Sequence, residues 1–208
     1  MTPDSSSHCA SRLHRGHDHR HTPAEMRHHL LSEERMKWQD PEKILDTILL
    51  PGVCTVVELG CGPGYFTLPM ARRIGETGTV IGVDVSAELL AMCRRRMAGA
   101  KIHNFELLLL DADEPLPLGD ACADLIFAAN VLHDFRRPQA ALSEARRLLK
   151  KGGLIVDIDW KKEELPFGPP PEVKFSTDRS SSLLVEAGFV NISVTDIGPF
   201  HYCVRGTK

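Results

Sequence analysis

The sequence predicts an α/β fold in which helices cover both faces of an open, mostly parallel sheet. From Val53 to Ile158, short apolar runs rich in β-branched residues alternate with longer segments of helical periodicity. This alternation requires crossover connections between parallel strands. Polar residues directly follow several of the predicted strands, at the edge where open α/β sheets bind ligands. The 208 residues are enough for one such domain and few for two.

The composition is that of a globular protein without a charge-driven partner. Hydrophobic residues make up 42% of the chain, charged residues make up 25%, and the formal net charge is -3. This charge gives no reason to expect nucleic acid or an anionic membrane as a partner. We therefore predict neither nucleic-acid binding nor membrane insertion. A small or neutral molecule stays open as a partner, and so does the alternative of a homodimer.

The cysteines and the N-terminus indicate a reducing, cytoplasmic location. The six cysteines show no C-x-x-C spacing, and several fall within predicted strands or helices, where they act as small apolar residues. The N-terminus lacks the apolar stretch of a secretory signal, and no apolar run is long enough to cross a bilayer. We therefore expect a cytoplasmic protein with reduced thiols.

Residues 1–21 are predicted to form a disordered tail. They are rich in Ser, His and Arg and have almost no apolar residues, so they cannot bury enough surface to offset the entropy of ordering. The histidines could chelate a transition metal, but their spacing matches no closed zinc site, and we predict no metal site. Residues 22–208 are then a single domain, with a helical cap in 22–50 and the α/β core in 51–208.

Two helices are predicted in this cap. The stretch Thr22 to Glu25 is a capping box with a proline at the first helical position, so the first helix begins at Pro23. The second helix begins at Asp40-Pro41. Between the two helices, Arg35 and Trp38 lie just upstream of the first strand. Trp38 either covers a ligand or fills the core of the cap.

The stretch Val53 to Met70 is predicted to form a strand, a tight turn and a helix. Its centre carries glycines at positions 60, 62 and 64, which tolerate positive φ and let a ligand approach the backbone closely. The amides of the following helix also point at a ligand in this position. The alternative is a packing turn, but close packing of a helix against its strand requires only one glycine. We interpret the turn as a ligand cradle.

The run Glu58-Leu59-Gly60-Cys61-Gly62-Pro63-Gly64 resembles motif I of the class I S-adenosylmethionine-dependent methyltransferases. It differs from the dinucleotide fingerprint G-x-G-x-x-G, which has its third glycine where this chain has Tyr65. The resemblance extends over about Arg35 to Arg205. It implies a Rossmann-like fold, a seven-stranded sheet in the order 3-2-1-4-5-7-6, and S-adenosylmethionine as the cofactor. The most similar group contains ubiquinone and menaquinone C-methyltransferases and many small-molecule enzymes.

Asp84 follows the second predicted strand, Thr79 to Val83, and lies 20 residues after Gly64. In sheets of this type, a carboxylate at the end of the second strand accepts hydrogen bonds from both ribose hydroxyls of a bound nucleoside. The alternative role is a helix N-cap, although Ser86 already supplies that function.

Two further segments match the family by resemblance. The third strand, Phe105 to Leu110, precedes Asp111 and Ala112, to which the resemblance assigns the adenine amino group and a ring nitrogen. The fourth strand, Leu125 to Asn130, leads into a turn that resembles the fourth motif of the family. The predicted cofactor-binding residues are Glu58, Gly60, Cys61, Gly62, Gly64, Tyr65, Asp84, Val85, Asp111, Ala112 and Asn130.

The catalytic residues stay open at this point. Displacement at a sulfonium methyl mainly needs alignment and a dry pocket, and a general base is optional. Where the acceptor carries a proton, the candidates at the predicted edge are His133, Asp134 and Asp159, and an ordinary histidine titrates near neutral pH. A backbone-bonded turn residue is an equally good explanation of His133.

The C-terminal part is predicted to complete the sheet. A helix from Pro138 ends at Lys150 to Gly153, and a fifth strand runs from Leu154 to Asp159. A long proline-rich loop, Trp160 to Ser176, follows, and a last helix and an antiparallel hairpin end the chain. The cap, the turn at His133 and this loop are expected to wall an acceptor pocket suited to a flat or apolar molecule.

The expected function is methyl transfer from S-adenosylmethionine to a small organic acceptor. Two alternatives stay open. One is a non-catalytic domain that binds the cofactor as a sensor or scaffold. The other is a nicotinamide-dependent oxidoreductase, which the position of the third glycine and the Asp111-Ala112 element disfavour.

Overall fold

The computed structural model of the chain describes residues 30–48 and 52–208. Seven strands of this part form one sheet in the order β3-β2-β1-β4-β5-β7-β6, in which β7 pairs antiparallel with both β5 and β6 and all other pairs are parallel. The strands are β1 (Thr55–Leu59), β2 (Thr79–Asp84), β3 (Phe105–Leu109), β4 (Ala123–Ala129), β5 (Leu149–Trp160), β6 (Val190–Ile197) and β7 (His201–Thr207). Both the predicted α/β class and the predicted strand order are confirmed.

Helices pack on both faces of this sheet. They are α1 (Glu33–Trp38), α2 (Pro41–Ile48), α3 (Thr67–Ile74), α4 (Ala87–Gly99), α5 (Pro138–Leu148) and α6 (Thr177–Glu186), with a 3-10 turn at Leu132–Asp134. Because side chains alternate along a strand, Val56 packs with α2, α3 and α4, and Val57 packs with α5 and α6 on the other face. Within the described ranges, no helix is long and apolar enough to span a membrane.

The segment around Arg35, expected to connect two cap helices, is itself the short helix α1. Ser32 caps its N-terminus, since the Ser32 hydroxyl accepts a hydrogen bond from the Arg35 amide at 3.1 Å. The second cap helix begins at Pro41, as predicted. The helix predicted from Pro23 and the tail of residues 1–21 lie outside the described residues.

Strand β5 is longer than predicted, and the helix end placed at Lys150 to Gly153 is wrong. Helix α5 ends at Leu148, and the strand begins at the next residue. Backbone pairing with the C-terminus overrides the local helix-ending signal. Gly152 donates its N–H to the Lys208 carbonyl at 3.1 Å, and Lys208 donates to the Gly153 carbonyl at 3.0 Å.

The carboxyl ends of the parallel strands β1 to β5 lie along one edge of the sheet. The glycine turn follows β1, Asp84 ends β2, Asp111 follows β3, Asn130 follows β4, and Asp159 lies near the end of β5. The topology therefore gathers the predicted site residues at the edge where open α/β sheets bind their ligands.

Candidate cofactor and acceptor site

The three glycines of the turn after β1 differ in their surroundings, although all have positive φ: +67° at Gly60, +53° at Gly62 and +82° at Gly64. A Cβ at Gly60 would lie 2.5 Å from Val131, and a Cβ at Gly64 would lie 2.6 Å from the Cys93 Sγ. A Cβ at Gly62 would meet no atom of the described residues within 4 Å. Packing therefore explains two of the glycines, one more than the sequence argument allowed, and Gly62 is the position that opens onto free space.

The amides of this turn are bonded within the protein. Gly60 and Cys61 both donate to the Val83 carbonyl, at 2.8 and 3.0 Å, and Gly62 donates to the Asp84 carboxylate at 2.8 Å. These bonds hold the turn against the end of β2. A ligand at this edge would meet the open surface above Gly62 rather than these three amides.

Asp84 is half-buried, and both of its carboxylate oxygens accept backbone N–H groups. Oδ2 accepts from Gly62 and Oδ1 accepts from Ser86, both at 2.8 Å. Ser86 caps α4 as predicted, because its hydroxyl accepts from the Leu89 amide at 3.2 Å. A carboxylate oxygen can accept more than one hydrogen bond, so Asp84 can brace the turn and still receive ribose hydroxyls. Its neighbour Val85 is 38% exposed at the same edge.

Glu58 is buried between β1 and α3. It is 3% exposed, and the Thr67 hydroxyl donates to its carboxylate at 2.5 Å. Burial raises the pKa of Glu58 to about 8, and the charge of Asp84 adds to this, so the carboxyl is mostly protonated at neutral pH. Cys61 is also buried, its Sγ packs beside Gly82, and burial raises its pKa. Both side chains have packing roles, and their contacts with a cofactor stay predictions.

Asp111 and Ala112 follow β3 after one intervening residue, Leu110. The Asp111 carboxylate accepts from the Arg136 guanidinium at 2.6 Å, and the Arg136 side chain is 59% exposed, so solvent screens this pair. The sequence argument did not single out Asp113, which is 4% exposed and accepts the backbone N–H groups of Arg136 and Arg137. Asp113 thereby ties the loop after β3 to the start of α5.

A buried network joins the cap to the glycine turn and to β4. The guanidinium carbon of Arg35 lies 3.9 Å from the ring centroid of Tyr65, and its Nε donates to Gln39 Oε1 at 2.9 Å. The Tyr65 hydroxyl donates to the Gln39 carbonyl at 2.7 Å. The side-chain amides of Gln39 and Asn130 bond each other at 3.1 and 3.3 Å. Sequence reasoning missed Gln39, because its partner is 91 residues away.

His133 and Asp159 form a buried pair at the ends of β4 and β5. His133 Nδ1 lies 2.7 and 2.9 Å from the two Asp159 oxygens, and the side chains are 3% and 1% exposed. His133 Nε2 lies 3.6 Å from Asp134 Oδ1. Burial alone would lower the pKa of His133, but the hydrogen bond and charge of Asp159, joined by Asp134, outweigh burial and raise it. The structure thus brings the three candidate catalytic residues together.

Asp157 lies two residues before Asp159, on the same face of β5. It is 1% exposed, and no described residue donates a hydrogen bond to its carboxylate. Burial, and then the negative charge of Asp159, raise the pKa of Asp157 well above its ordinary value. Burial therefore disfavours the ionised form of Asp157, whereas Asp159 has His133 as a hydrogen-bond partner.

Five rings from the cap, the loop after β5 and the end of the hairpin form an aromatic cluster: Trp38, Trp160, Phe167, Phe200 and His201. The centroid of Trp38 lies 4.9 Å from Phe167, 5.5 Å from Trp160 and 5.4 Å from His201. Burial, and then the charge of Arg35, lower the pKa of His201 to about 3, so this ring is neutral. Trp38 thus packs within this cluster while staying partly exposed, and two of the three walls expected around an acceptor pocket, the cap and the loop after β5, pack against each other.

The sheet order and the edge define a Rossmann-like domain built to bind a nucleoside-containing ligand. The position at Gly62 offers space for a ligand, and the carboxylate of Asp84 beside it offers hydrogen-bond acceptors for a ribose. The exposed Val85 offers an apolar surface. A family model described as "Methyltransferase domain" matches residues 52–186, and the chain belongs to this family of class I S-adenosylmethionine-dependent methyltransferases. The residues at the edge fit the family's cofactor, S-adenosylmethionine.

Known relatives agree with this assignment. A SAM-dependent methyltransferase from Aquifex aeolicus, with a solved structure, is 30% identical; the match covers 90% of this chain and 98% of that one, with a TM-score of 0.83. A demethylmenaquinone methyltransferase from Shouchella clausii is 32% identical over 112 residues, 54% of this chain and 47% of the relative. An uncharacterised 37.1 kDa protein from a Streptomyces fradiae transposon is 36% identical over 108 residues, 51% of this chain and 30% of the relative. The chain therefore spans less than half the length of these two curated relatives.

Proposed function

We propose that the chain transfers a methyl group from S-adenosylmethionine to a small organic acceptor. One observation carries this proposal: the open position at Gly62 beside Asp84 shares a sheet edge with the buried His133–Asp159 pair. Methyl transfer to a protic acceptor needs a bound nucleoside on one side and a proton-accepting group on the other. The fold alone would not support the proposal, because one fold hosts many functions.

The proposed cofactor site uses the ends of neighbouring strands. Asp84 would accept the ribose hydroxyls, Val85 would pack against the adenine, and Asp111 and Ala112 would bind the edge of that base. S-adenosylmethionine, when bound, supplies an electrophilic sulfonium methyl group. The protein holds and orients it and excludes water. The remaining proposed cofactor-binding residues belong to the glycine turn, to the side chains packed around it and to the cap network: Glu58, Gly60, Cys61, Gly62, Gly64, Tyr65 and Asn130.

His133 is the proposed general base. Asp159 holds its Nδ1, so Nε2 is the nitrogen that would accept a proton from the acceptor. Because the pKa of His133 is raised, protonation of the imidazole competes with its role as a base over a wider pH range. Transfer to a hydroxyl acceptor should therefore increase as the pH rises through the pKa of His133 and then level off. Asp134 Oδ1, 3.6 Å from Nε2, would stabilise the imidazolium that forms once Nε2 has accepted the proton.

The proposed acceptor is flat and largely apolar. The aromatic cluster at this edge supports this proposal, because an acceptor ring could stack on Trp38 or Trp160 if the rings of the cluster moved apart. The name of the Shouchella clausii relative, demethylmenaquinone methyltransferase, supports the same class of acceptor.

Calorimetry with S-adenosylmethionine, S-adenosylhomocysteine and NAD tests the cofactor first. We expect micromolar or tighter binding of the first two ligands and no measurable NAD binding, and the reverse preference would refute the proposal. Transfer of a labelled methyl group to a panel of small phenols and quinols should then be measurable. His133→Gln should lower kcat by about 10²- to 10⁴-fold without changing the affinity for S-adenosylhomocysteine. His103→Gln, at an exposed histidine, is the matched control.

A second candidate function is a non-catalytic sensor that binds the cofactor. The closely packed aromatic cluster favours it, because rings 4.9 to 5.5 Å apart leave no room for an acceptor between them. Tight cofactor binding with no transfer to any acceptor of the panel would support this alternative. A change in tryptophan fluorescence with cofactor alone would show that the cluster responds to binding.

A further inference from the structure

Arg35 is a buried cation without an acidic partner among the described residues. It is 6% exposed, and no carboxylate oxygen of residues 30–48 or 52–208 makes an ion pair with it. Its guanidinium donates to the Gln39 side chain and to the Leu30 carbonyl, both at 2.9 Å, and its flat face lies on Tyr65. A guanidinium has five N–H donors, so these two hydrogen bonds leave donor capacity unused.

Arg35 has both acidic and basic groups within electrostatic reach, namely Tyr65, Glu58 and Arg96. Burial lowers its pKa to about 10, which leaves the guanidinium charged at neutral pH. The carboxyl group among them is that of Glu58, whose pKa of about 8 keeps it mostly protonated at neutral pH. Arg96 also lies nearby and donates to the carbonyls of Pro63 and Gly64. A buried, uncompensated cation is costly, so this position suits an anionic ligand.

The place of Arg35 in the fold indicates which part of a ligand it meets. Through Tyr65 it contacts the turn after β1, and through Gln39 it connects to Asn130 after β4. In the proposed site, Asp84 and Asp111 hold the adenosine at the ends of β2 and β3, on the other side of β1. An extended ligand anchored there by its adenosine would bring its opposite end toward β1 and β4. In S-adenosylmethionine that end is an amino acid with a carboxylate.

We propose that Arg35 binds the carboxylate of the methionine part of the cofactor, with Gln39 and Tyr65 holding the guanidinium in place. This inference rests on the proposed function, because it takes the cofactor and the position of its adenosine from there. Arg35 is then a cofactor-binding residue contributed by the cap. Binding of the cofactor supplies the missing counter-charge.

The test compares S-adenosylmethionine with decarboxylated S-adenosylmethionine, which lacks only the carboxylate. Calorimetry on the full chain should give an affinity for S-adenosylmethionine about 10- to 100-fold higher than for the decarboxylated form. Arg35→Gln should abolish most of this preference and leave the affinity for the decarboxylated form within about twofold. Arg94→Gln, at an exposed arginine of α4, should keep the full preference.

Three results would overturn the inference. Equal affinity of the wild type for both ligands would show that the carboxylate is not recognised, and this result needs no variant. An equal loss of affinity for both ligands in Arg35→Gln would show that Arg35 only supports the cap. Failure of the wild type to bind either ligand would overturn the proposed function and this inference with it. If Arg35→Gln does not fold, the wild-type comparison and Arg35→Lys, expected to keep part of the preference, still decide the question.

Discussion

Alanine at Gly62 should mainly weaken cofactor binding, whereas alanine at Gly64 should mainly destabilise the fold, although the two glycines are only two residues apart. Each has positive φ, which costs an L-residue about 1–2 kcal/mol. At Gly62 this cost stands alone, because no atom of residues 30–48 or 52–208 lies within 4 Å of a Cβ there. At Gly64 the Cβ would lie 2.6 Å from the Cys93 Sγ, and overpacking adds about 1–3 kcal/mol.

These energies translate into melting temperatures. For a domain of this size, 1 kcal/mol shifts Tm by about 2–4 °C, so Gly62→Ala should lower Tm by about 2–8 °C. Gly64→Ala should lower it by about 2–12 °C more. Cys93→Ala removes the clashing sulfur and should recover most of the extra loss when it is combined with Gly64→Ala, a coupling of about 1–3 kcal/mol. Scanning calorimetry of the four proteins measures this cycle.

In cofactor affinity, the substitution at Gly62 should have the larger effect. Gly62→Ala should weaken binding of S-adenosylhomocysteine strongly, because its methyl group enters the space proposed for the ligand. Gly152→Ala carries the same kind of strain, with φ of +77° and open space, near the start of β5, and should leave affinity unchanged. Equal stability of Gly64→Ala and Gly62→Ala, or cofactor binding by Gly62→Ala as tight as that of the wild type, would refute this prediction.

Three further predictions concern titratable groups. Asp84→Ala should weaken binding of S-adenosylhomocysteine by about 10- to 150-fold and also lower Tm, because the carboxylate accepts from Gly62 and Ser86; unchanged affinity would limit Asp84 to bracing the turn. The pKa of Glu58 is about 8 in the folded protein, against an ordinary value of 4.5. The free energy of unfolding should therefore fall as the pH rises from 4.5 to 8, by up to about 1.4 kcal/mol per pH unit. Glu58→Gln should flatten this slope in denaturant titrations, and parallel curves would contradict it. The pKa of His133 is raised in the folded protein. Its pairing with Asp159 therefore stabilises the fold fully at pH values below the ordinary pKa of histidine, and this stabilisation is lost as the pH rises through the folded pKa. The wild type should therefore exceed His133→Gln in stability most near pH 5 and by less above neutral pH. A stability difference that grows with pH would disprove the stabilising pairing of His133 with Asp159.

The parts of the fold that follow from local pattern could be predicted from the sequence. Alternating apolar strands and helices predict the parallel sheet, and the glycine turn with Asp84 predicts the edge of the site. Ser86 and Pro41 mark helix starts that the structure has. Each of these signals lies within a few residues of the feature that it predicts.

The parts that depend on distant partners could not be predicted. Gln39 gives no local sign of burial, since its role comes from Asn130 far along the chain. The start of β5 was misplaced because cations and glycines at 150–153 resemble a helix end, whereas backbone pairing with Lys208 makes them strand. The closed aromatic cluster likewise combines Trp38, Trp160 and His201, which only the folded chain brings together.

Helix α1 has six residues, which is too short to be stable alone in water. Its order depends on the contacts of Arg35, Trp38 and Gln39 with the core. It can therefore unfold locally at a lower free energy than the sheet. If the cofactor binds beneath it, ligand binding suppresses this opening by mass action. Amide hydrogen exchange in α1 would then report occupancy of the site, while exchange in the central strands would follow the global stability of the domain.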